Sequence, residues 1–521
     1  MYIIIKHVRF HPTIKINYIR MKIRKILIAN RGEIAVRIMK TAKLMKIKTI
    51  AVKTAVEPNA MYLSHADIIF DNSDDDSEIP VFLNIERLIE IALRTKADAI
   101  HPGYGFLAEN AYFAQKCIDN NIIFIGPSPD SIYKMGNKTI ARKIAESAGI
   151  PLALGSNGKI SDEEEAVAIA EKIGYPVIIK AESGGGGRGM RIVRDSSEME
   201  RMFLIAGKEA EKAFNDSSVF IEKYIENPKH IEFQIIGDKM GNIVHLGERE
   251  CSIQRKHQKL LEEAPSSALD DNLREVMGKT AIDMARAVGY YSAGTVEFLL
   301  DSNRNFYFME MNTRIQVEHP VTEVITGIDI VEQQIRIAEG KELDLKQDKI
   351  RLKGWAIECR INAEDVQAGF APDPGKILKM NLPNEPYVRI DTGVQPGSSI
   401  VANYDSLIAK IIVSGADRKD ALKNCKMALD KVWIKGTKTT LPFFRMLVRN
   451  QKFLSGDYTT AFLEKDLDKF YHSSEYEEML AAWLATSLFV DENLKDNSIN
   501  ADYGNSREMS PWLLNKRINQ F

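Results

Sequence analysis

GTVEFLLDSNRNFYFMEMNTRIQVEHP, the sequence of residues 294–320, contains two apolar runs that flank a polar turn at Asn303 and Arg304. This pattern predicts an antiparallel β-hairpin. A turn centred between those two residues places Glu297 directly opposite Glu310 on one face of the hairpin, with Cβ atoms roughly 5 Å apart. Two opposed carboxylates repel each other, and a divalent cation removes the repulsion. The pair therefore predicts a Mg²⁺ site shared with substrate phosphates.

Polar side chains continue at every second position after Glu310, at Asn312, Arg314, Gln316 and Glu318. If the strand continues, these four side chains lie on the face that carries the metal. Arginine provides a bidentate donor for a planar oxyanion, and glutamate can act as a general base. A solvated face with incidental ion pairs is the alternative, but such a face seldom places one glutamate opposite another. The row predicts one wall of an active site.

Upstream, a glycine-rich loop at residues 182–189 lies between two short apolar runs, 176–180 and 190–193. Glycine allows backbone N–H groups to converge on phosphate oxygens, and Lys180 and Arg188 add positive charge beside them. The loop also contains GxGxxG, but a dinucleotide-binding motif opens a helix, whereas a strand follows here. A flexible linker is the alternative. We predict a hairpin with a mobile, phosphate-binding tip.

Around these motifs the chain divides into α/β and α+β regions, which predicts a multidomain protein. Buried strands followed by loops or helices recur up to residue 135, so we expect a doubly wound, Rossmann-like domain over residues 21–135. Strands, helices and hairpins alternate over residues 136–350. A mixed α+β region follows over residues 351–470, and a helical, then loose, tail over residues 471–521.

Composition excludes several classes of function. Seventy basic and 72 acidic residues give a net charge of −2, so we expect no nucleic-acid partner. No apolar run approaches the length of a membrane span. Four cysteines without a CxxC pair indicate reduced thiols and a cytoplasmic location. Residues 1–20 form a basic extension; a transit segment would explain it, but Met21 precedes the first convincing strand and favours an overlong gene start.

Several segments together resemble biotin carboxylase, an ATP-grasp enzyme, in the order and spacing of that family from about residue 23 to residue 467. They are residues 29–35 (ANRGEIA), 101–107 (HPGYGFL), the glycine-rich loop, and residues 250–265, 309–323 and 358–365. The resemblance implies a central ATP-grasp domain over residues 136–350 with a glycine-rich lid at about residues 152–225. It also implies a biotin carboxylase C-terminal domain over residues 351–470. Glu182 and Ser183 depart from the small residue and glycine that are usual in the lid.

The resemblance also implies roles for individual residues. ATP phosphates would bind Lys138, Lys180, Gly186 and Gly187. Adenine would lie beside Glu222, Lys223, Tyr224 and Ile225, and ribose and phosphates beside His230, Gln254 and His257. Magnesium, or manganese in its place, would bind Glu297, Glu310 and Asn312, the two glutamates also serving the ATP site. Bicarbonate would bind Lys259, Arg314, Gln316 and Val317. The catalytic set would be Lys259, Arg314, Glu318 as the base, and Arg360, which would bind biotin and stabilise its enolate.

The implied reaction is ATP- and bicarbonate-dependent carboxylation of biotin, the first half-reaction of an acetyl- or propionyl-CoA carboxylase. Pyruvate carboxylase is the main alternative, although Ser510-Pro-Trp512 weakly resembles the acyl-CoA class. No Ala-Met-Lys-Met sequence is present, so we expect biotin on a separate biotin carboxyl carrier protein. We also expect a homodimer and a separate carboxyltransferase subunit. Another ATP-grasp ligase, or a nucleotide-binding scaffold without catalysis, would also explain parts of the pattern.

Overall fold

The computed structural model describes residues 22–75, 77–156, 158–160, 162–181, 190–214, 216–465 and 486. The expected extension over residues 1–20, Gly186, Gly187, and the expected tail apart from residue 486 lie outside the described residues, as does Ser510-Pro-Trp512. Within the described part of the chain, no helix is both long enough and apolar enough to cross a membrane.

The N-terminal region is a doubly wound domain, as predicted. Its five parallel strands are arranged in the order β3-β2-β1-β4-β5. The strands are β1 (Lys25–Ile28), β2 (Lys48–Lys53), β3 (Ile68–Asp71), β4 (Ala99–His101) and β5 (Ile123–Phe124). The helices are α1 (Gly32–Leu44), α2 (Ile85–Thr95), α3 (Ala111–Asp119), α4 (Pro129–Gly136) and, leading into the next region, α5 (Lys138–Ser147).

The loops after β1 and β4 meet at the carboxyl edge of this sheet, where the strand order reverses. Asn30 joins them because its Nδ2 donates to the carbonyl oxygens of Pro102 and Tyr104, each at 2.7 Å. Gly103 has φ +64°, and a Cβ there would lie 2.9 Å from Asn30 Nδ2. The sequence HPGYG therefore needs its first glycine for both conformation and space. This edge contacts the loop at residues 313–318 through Glu109.

A three-stranded antiparallel sheet with two helices forms the region expected to be the lid. Its strands are β6 (Val177–Ala181), β7 (Met190–Val193) and β8 (Val219–Lys223), in the order β7-β6-β8. Its helices are α6 (Glu163–Ile173) and α7 (Met199–Phe214). Lys180 pairs with Met190 across β6 and β7, so the predicted hairpin is present.

The remaining elements of the central region are β9 (Lys229–Gly237), β10 (Ile243–Arg255), β11 (Gln258–Ala264), α8 (Asp271–Ala287), β12 (Ser292–Leu300), β13 (Phe306–Asn312), α9 (His319–Thr326) and α10 (Ile330–Ala338). The C-terminal region contains β14 (Trp355–Asn362), β15 (Glu364–Asp365), β16 (Ala371–Pro372), β17 (Gly375–Lys376), β18 (Lys379–Asn381), β19 (Val388–Thr392), β20 (Ser399–Ile400), β21 (Leu407–Gly415), α11 (Arg418–Lys431), β22 (Trp433–Lys435), α12 (Leu441–Leu447) and α13 (Gln451–Ser455).

One eight-stranded sheet joins these two regions, in the order β13-β12-β9-β10-β11-β14-β21-β19. The junction is the antiparallel pair β11 and β14, in which Glu262 lies opposite Glu358. The expected boundary at residue 350 therefore falls in a connection between strands of one sheet. Cys359 and Cys425, distant in sequence, lie in the C-terminal core with their Sγ atoms 3.9 Å apart, and all four cysteines are buried thiols.

Candidate active site

The predicted carboxylate hairpin is formed by β12 and β13. Glu297 lies opposite Glu310, as the turn position predicts. A β-bulge follows Glu297, so that Phe298 pairs with Phe308 closer to the turn. Glu297 also lies opposite Glu232 on the neighbouring strand β9. Because directly paired residues share a face, Glu232, Glu297 and Glu310 form a transverse row of acids across three strands.

Glu297 is buried and contacts four polar side chains. Its Oε2 lies 2.8 Å from Nε2 of His230, and its Oε1 accepts from Nζ of Lys259 at 2.9 Å. The same Oε1 accepts from the side-chain amides of Asn312 at 2.8 Å and Gln316 at 3.1 Å. Burial alone would raise the pKa of Glu297, but Lys259 and His230 hold it below its usual range. Glu297 is therefore a fixed negative charge.

Glu310 differs from its partner, since its side chain is open to the cleft and has no hydrogen bond or ion pair within the described residues. Desolvation by the surrounding protein and the charge of Glu297 together raise its pKa. A carboxylate that repels its neighbour and makes no ion pair is stabilised by a bound cation. With Glu297 and the amide oxygen of Asn312, it makes an all-oxygen donor set of the kind that suits Mg²⁺.

The polar row beyond β13 is not a strand, and the prediction that the strand continues to Glu318 is wrong. Strand β13 ends at Asn312, and residues 313–318 form a loop before α9. The backbone N–H of Thr313 donates to Glu109 Oε1 at 3.0 Å, so a side chain of the N-terminal domain takes the place of a neighbouring strand. Sequence periodicity cannot reveal such a distant partner.

The loop nevertheless gathers the predicted side chains. Arg314 donates from Nη1 to Gln316 Oε1 at 3.2 Å and from Nη2 to Asn312 Oδ1 at 3.1 Å. Its Nε donates to Glu109 Oε2 at 2.9 Å. Sequence reasoning missed Glu109, although its position in the loop after β4, at the carboxyl edge of a parallel sheet, is a signal for a ligand-side residue.

Glu318, the predicted base, is buried between two cations. It accepts from Lys259 Nζ at 2.7 Å and from Arg360 Nη2 at 2.9 Å. Burial alone would raise the pKa of Glu318, but Lys259, Arg360 and Arg249 hold it well below its usual range. The carboxylate is thus unprotonated at neutral pH and can accept a proton.

Lys259 links the base to the acids of the metal row. Its Nζ contacts Glu232 at 2.5 Å, Glu297 at 2.9 Å and Glu318 at 2.7 Å. Burial would lower the pKa of Lys259, but these three carboxylates raise it well above its usual range. Glu232, Glu297 and His230, and likewise Glu232, Glu318 and Cys251, are close enough together to hold a metal ion. The ammonium of Lys259 already provides the positive charge between these carboxylates.

Arg360, on β14, also makes an ion pair with Glu262, through the same Nη2 that contacts Glu318. Glu262 and Glu358 oppose each other across β11 and β14, and both are fully buried. Burial and the nearby Glu318 raise the pKa of Glu262 to about 7 against the opposing effect of Arg360. Burial also raises the pKa of Glu358 well above its usual range, with Glu262 adding to the effect. Both opposed acids thus hold their protons more tightly than a free carboxyl group does.

The two lysines expected to bind ATP phosphates, Lys138 and Lys180, lie near the same aromatic ring. Lys138 Nζ and Lys180 Nζ lie 6.0 Å and 5.8 Å from the ring centre of Phe220. Glu222 Oε2 accepts from Lys180 at 2.5 Å, and Glu222 Oε1 accepts from Arg142 at 2.6 Å. Burial alone would raise the pKa of Glu222, but Lys180, Arg142 and Lys138 hold it below its usual range. The carboxylate occupies a position that attracts negatively charged groups.

The expected adenine-side residues continue β8 into the next loop. The backbone N–H of Lys223 donates to Leu154 O at 2.7 Å, and that of Tyr224 donates to Pro176 O at 3.1 Å. Neither N–H is therefore available to a base, so a base beside Lys223 or Tyr224 would use other atoms of these residues. Sequence alone could not separate these four positions, because both acceptors come from distant loops.

The expected ribose- and phosphate-side residues lie at different depths. His230 is buried, and its Nδ1 lies 3.4 Å from Nε2 of Gln254 while its Nε2 contacts Glu297. His257, with φ +66°, lies exposed at the tip of the hairpin formed by β10 and β11. His230 thus helps to orient a metal-side acid, whereas His257 is accessible to a ligand that enters the cleft.

Comparison with known proteins covers most of the described residues. The chain matches the family models "Biotin carboxylase, N-terminal domain" over residues 22–132, "Carbamoyl-phosphate synthase L chain, ATP binding domain" over residues 137–346, and "Biotin carboxylase C-terminal domain" over residues 358–465. Biotin carboxylase of Nostoc sp. is 52% identical over 445 residues, which cover 85% of this chain and 99% of that protein.

Two further relatives extend the comparison. A pyruvate carboxylase subunit of Methanothermobacter thermautotrophicus is 49% identical over 441 residues, covering 85% of this chain and 89% of that protein. The biotin carboxylase domain dimer of Hydrogenobacter thermophilus 2-oxoglutarate carboxylase, solved with MgADP, ADP and bicarbonate, has a TM-score of 0.83 at 47% identity. The match covers 86% of this chain and 99% of that domain. The chain therefore belongs to the biotin carboxylase family of ATP-grasp enzymes and is an ATP-dependent ligase.

Proposed function

We propose that this chain uses MgATP and bicarbonate to carboxylate biotin carried on a separate biotin carboxyl carrier protein. The observation that carries the proposal is the position of Glu318, which contacts Lys259 and Arg360 at 2.7 and 2.9 Å. Lys259 also contacts Glu297, so a single lysine side chain links the base to the acid row. A proton acceptor, an oxyanion-binding cation and a phosphate-side carboxylate pair are thus joined in one site.

Bicarbonate would bind Arg314, Gln316 and Val317 of the loop after β13, together with Lys259 of β11. ATP phosphates would bind Lys138, Lys180, Gly186 and Gly187, with Glu222, Lys223, Tyr224 and Ile225 near adenine and His230, Gln254 and His257 near ribose and phosphates. Two observations support these assignments. Cations lie on both the ATP side and the bicarbonate side of the site, and the assigned residues follow the family's order along the chain. When ATP enters, its phosphates would replace the carboxylate of Glu222 as the partner of Lys180.

Glu297, Glu310 and Asn312 would hold magnesium, or manganese. The ion supplies charge neutralisation to the ATP phosphates, which are otherwise repelled by the acid row. The open carboxylate of Glu310 supports this assignment, because it makes no hydrogen bond or ion pair within the described residues and repels Glu297. The protein supplies the rest of the chemistry by positioning its substrates.

In the proposed reaction, an oxygen of bicarbonate attacks the γ-phosphorus of ATP while Glu318 accepts the bicarbonate proton. The bond to the leaving oxygen of ADP breaks, and carboxyphosphate forms. Carboxyphosphate releases CO₂ and phosphate, and phosphate accepts the N–H proton of the biotin ureido group. The resulting nitrogen forms a bond to CO₂, while the guanidinium of Arg360 stabilises the negative charge on the ureido oxygen.

The proposed partners are a second copy of this chain, a biotin carboxyl carrier protein and a carboxyltransferase subunit. The dimeric domain among the relatives supports the first of these. The buried, unpaired thiols are consistent with the proposed cytoplasmic location. We propose an acetyl- or propionyl-CoA carboxylase as the complete enzyme. A two-subunit pyruvate carboxylase is the second candidate, because a subunit of an enzyme with that name is 49% identical.

The proposal is tested by ATP cleavage in the purified chain. ADP release should require both bicarbonate and magnesium, and free biotin should stimulate it. ATP cleavage that does not depend on bicarbonate, or is not stimulated by biotin, would indicate another ATP-grasp ligase. No cleavage at all would indicate a nucleotide-binding scaffold. Reconstitution with carrier and carboxyltransferase, supplied with acetyl-CoA, propionyl-CoA or pyruvate in parallel, distinguishes the final acceptors.

A further inference from the structure

Lys410 is a fully buried lysine on β21 that the proposed mechanism does not use. Its Nζ donates to the carbonyl oxygen of Val317 at 2.8 Å and lies 3.0 Å from Oε1 of Glu33 on α1. The lysine thus joins the C-terminal region, the N-terminal domain and the loop after β13. A buried lysine is costly unless its charge is compensated, so its retention here calls for a specific partner.

The charge of Lys410 is compensated by acids of two neighbouring elements, Glu33 on α1 and Asp391 on β19. Burial would lower its pKa, but the nearby acids, Glu33 foremost, raise it, so the ammonium remains charged. Asp391 lies directly opposite Lys410 across β19 and β21. Glu33 also accepts a hydrogen bond from the hydroxyl of Tyr104. The ammonium is therefore fixed by its surroundings and can act as a rigid donor.

Lys410 also lies directly opposite Arg360 across β14 and β21. Directly opposed residues of an antiparallel pair project from the same face, so both side chains reach the same loop. Arg360 holds the side chain of Glu318, and Lys410 holds the backbone carbonyl of Val317. That carbonyl belongs to the peptide between Val317 and Glu318. Side chains from two neighbouring strands therefore make hydrogen bonds to two consecutive residues of the loop.

We propose that Lys410 is a positioning residue for bicarbonate: it anchors the peptide between Val317 and Glu318, and thereby fixes the bicarbonate contact and the base relative to each other. The inference rests on the proposed function, because the roles of Val317 and Glu318 are part of it. Lys410 itself touches no substrate. Its effect arises because a proton acceptor works only within hydrogen-bond reach of the proton it accepts.

The test compares Lys410→Met with the double variant Glu33→Gln/Lys410→Met. Methionine keeps the apolar stem but removes the donor, and the second change removes the carboxylate that would be left without a counter-charge. In both, the KM for bicarbonate should rise about tenfold, equivalent to about 1.4 kcal/mol, while the KM for MgATP stays at the wild-type value. The double variant carries the test if Lys410→Met alone does not fold.

Lys229→Met is a matched control. Lys229 Nζ also contacts one carboxylate, Glu250 at 2.7 Å, and one backbone carbonyl, Gly456 at 3.0 Å, but neither belongs to the site. This control should leave the bicarbonate KM unchanged.

Three results would overturn the inference while the proposed function stands. They are a wild-type bicarbonate KM in Lys410→Met, an equal rise in both KM values, or a bicarbonate KM that returns to normal in the double variant. A wild-type chain that does not respond to bicarbonate and biotin would instead refute the proposed function.

Discussion

Glu318, the proposed acceptor of the bicarbonate proton, lies between two cations that keep it ionised. Glu318→Gln preserves the size of the side chain but removes the acceptor. Biotin-dependent ADP release should fall by about 10²–10⁴-fold, the usual contribution of a general base. MgATP should still bind, as measured by calorimetry or by protection against heat unfolding. Near-normal turnover would show that the base lies elsewhere.

Arg360→Gln tests the electrostatic control of that base. Arg360 and Lys259 hold the pKa of Glu318 well below its usual range. Removing one cation favours the neutral acid, so the pKa of Glu318 should rise. Because only the carboxylate accepts a proton, the acidic limb of the pH profile for kcat/KM should move to higher pH. KM is expressed here as the concentration of bicarbonate itself, not of total CO₂, because their ratio changes with pH.

The matched control for this shift is Arg418→Gln. Arg418 makes an ion pair with Glu263 on the same sheet but has no contact with Glu318. Its acidic limb should stay at the wild-type pH, although the enzyme should lose stability. Identical limbs in wild type and Arg360→Gln would contradict the assigned origin of the pKa shift.

Glu310→Gln tests the open half of the carboxylate pair. Replacing this proposed carboxylate ligand by a neutral amide should raise the magnesium concentration needed for half-maximal turnover by at least about tenfold, since even outer-shell changes reach that size. The pKa of Glu310 is raised, so a proton competes with the metal as pH falls. The magnesium requirement of wild type should therefore increase at lower pH. The glutamine variant should lose most of that pH dependence.

At the scale of elements, the paired strands β11 and β14 bury two opposed acids, Glu262 and Glu358. Both have raised pKa values, so the folded state binds protons more tightly than the unfolded chain does. The stability that these acids contribute is complete below the unfolded pKa and falls as pH rises through the folded pKa, which for Glu262 is about 7. Each unit of such a shift corresponds to about 1.4 kcal/mol.

Glu358→Gln should therefore leave stability unchanged or increase it, because an amide imitates the protonated acid but cannot ionise. The gain in melting temperature over wild type should be larger at pH 8 than at pH 5. Glu263→Gln is the contrasting control. Glu263 makes an ion pair with Arg418 and accepts a hydrogen bond from Trp355, so this change should lower the stability of the protein. A lower melting temperature for Glu358→Gln at pH 8 would show that its carboxylate is ionised.

The same elements show what sequence can and cannot predict. The opposition of Glu297 and Glu310 was predictable because a hairpin is local and its turn sets the register. The bulge after Glu297 was not predicted, but it lies on the turn side of the acids and leaves their pairing intact. The loop at residues 313–318 was mistaken for a strand because its backbone partner, Glu109, is about 200 residues away in sequence.

Long-range contacts also explain the other residues that the sequence did not reveal. Lys410 has no motif around it that indicates a ligand-side role, and only the pairing of β21 with β14 brings it beside Arg360. The parallel order of the N-terminal domain was predictable, since repeated strand and helix units permit few alternatives. The single sheet shared by the central and C-terminal regions was not, because residue 350 lies in a connection that resembles a domain boundary.

At the scale of the whole molecule, the proposed homodimer is testable by sedimentation. At micromolar concentration the chain should sediment with the mass of two copies, and dilution should reveal the monomer only at lower concentration. A monomer throughout the micromolar range would contradict the proposal. Measuring ADP release across the same dilution series shows whether activity follows the dimer.

The shared eight-stranded sheet limits how this protein can be divided or recombined. A fragment ending at residue 350 would lose β14, β19 and β21, leaving β11 as an open edge with unsatisfied backbone groups and an interior glutamate exposed to water. Neither half is then an autonomous folding unit, so swapping the C-terminal half between related enzymes requires a matching edge strand as well as a matching active site. A boundary that is evident in the sequence need not separate independently folding parts.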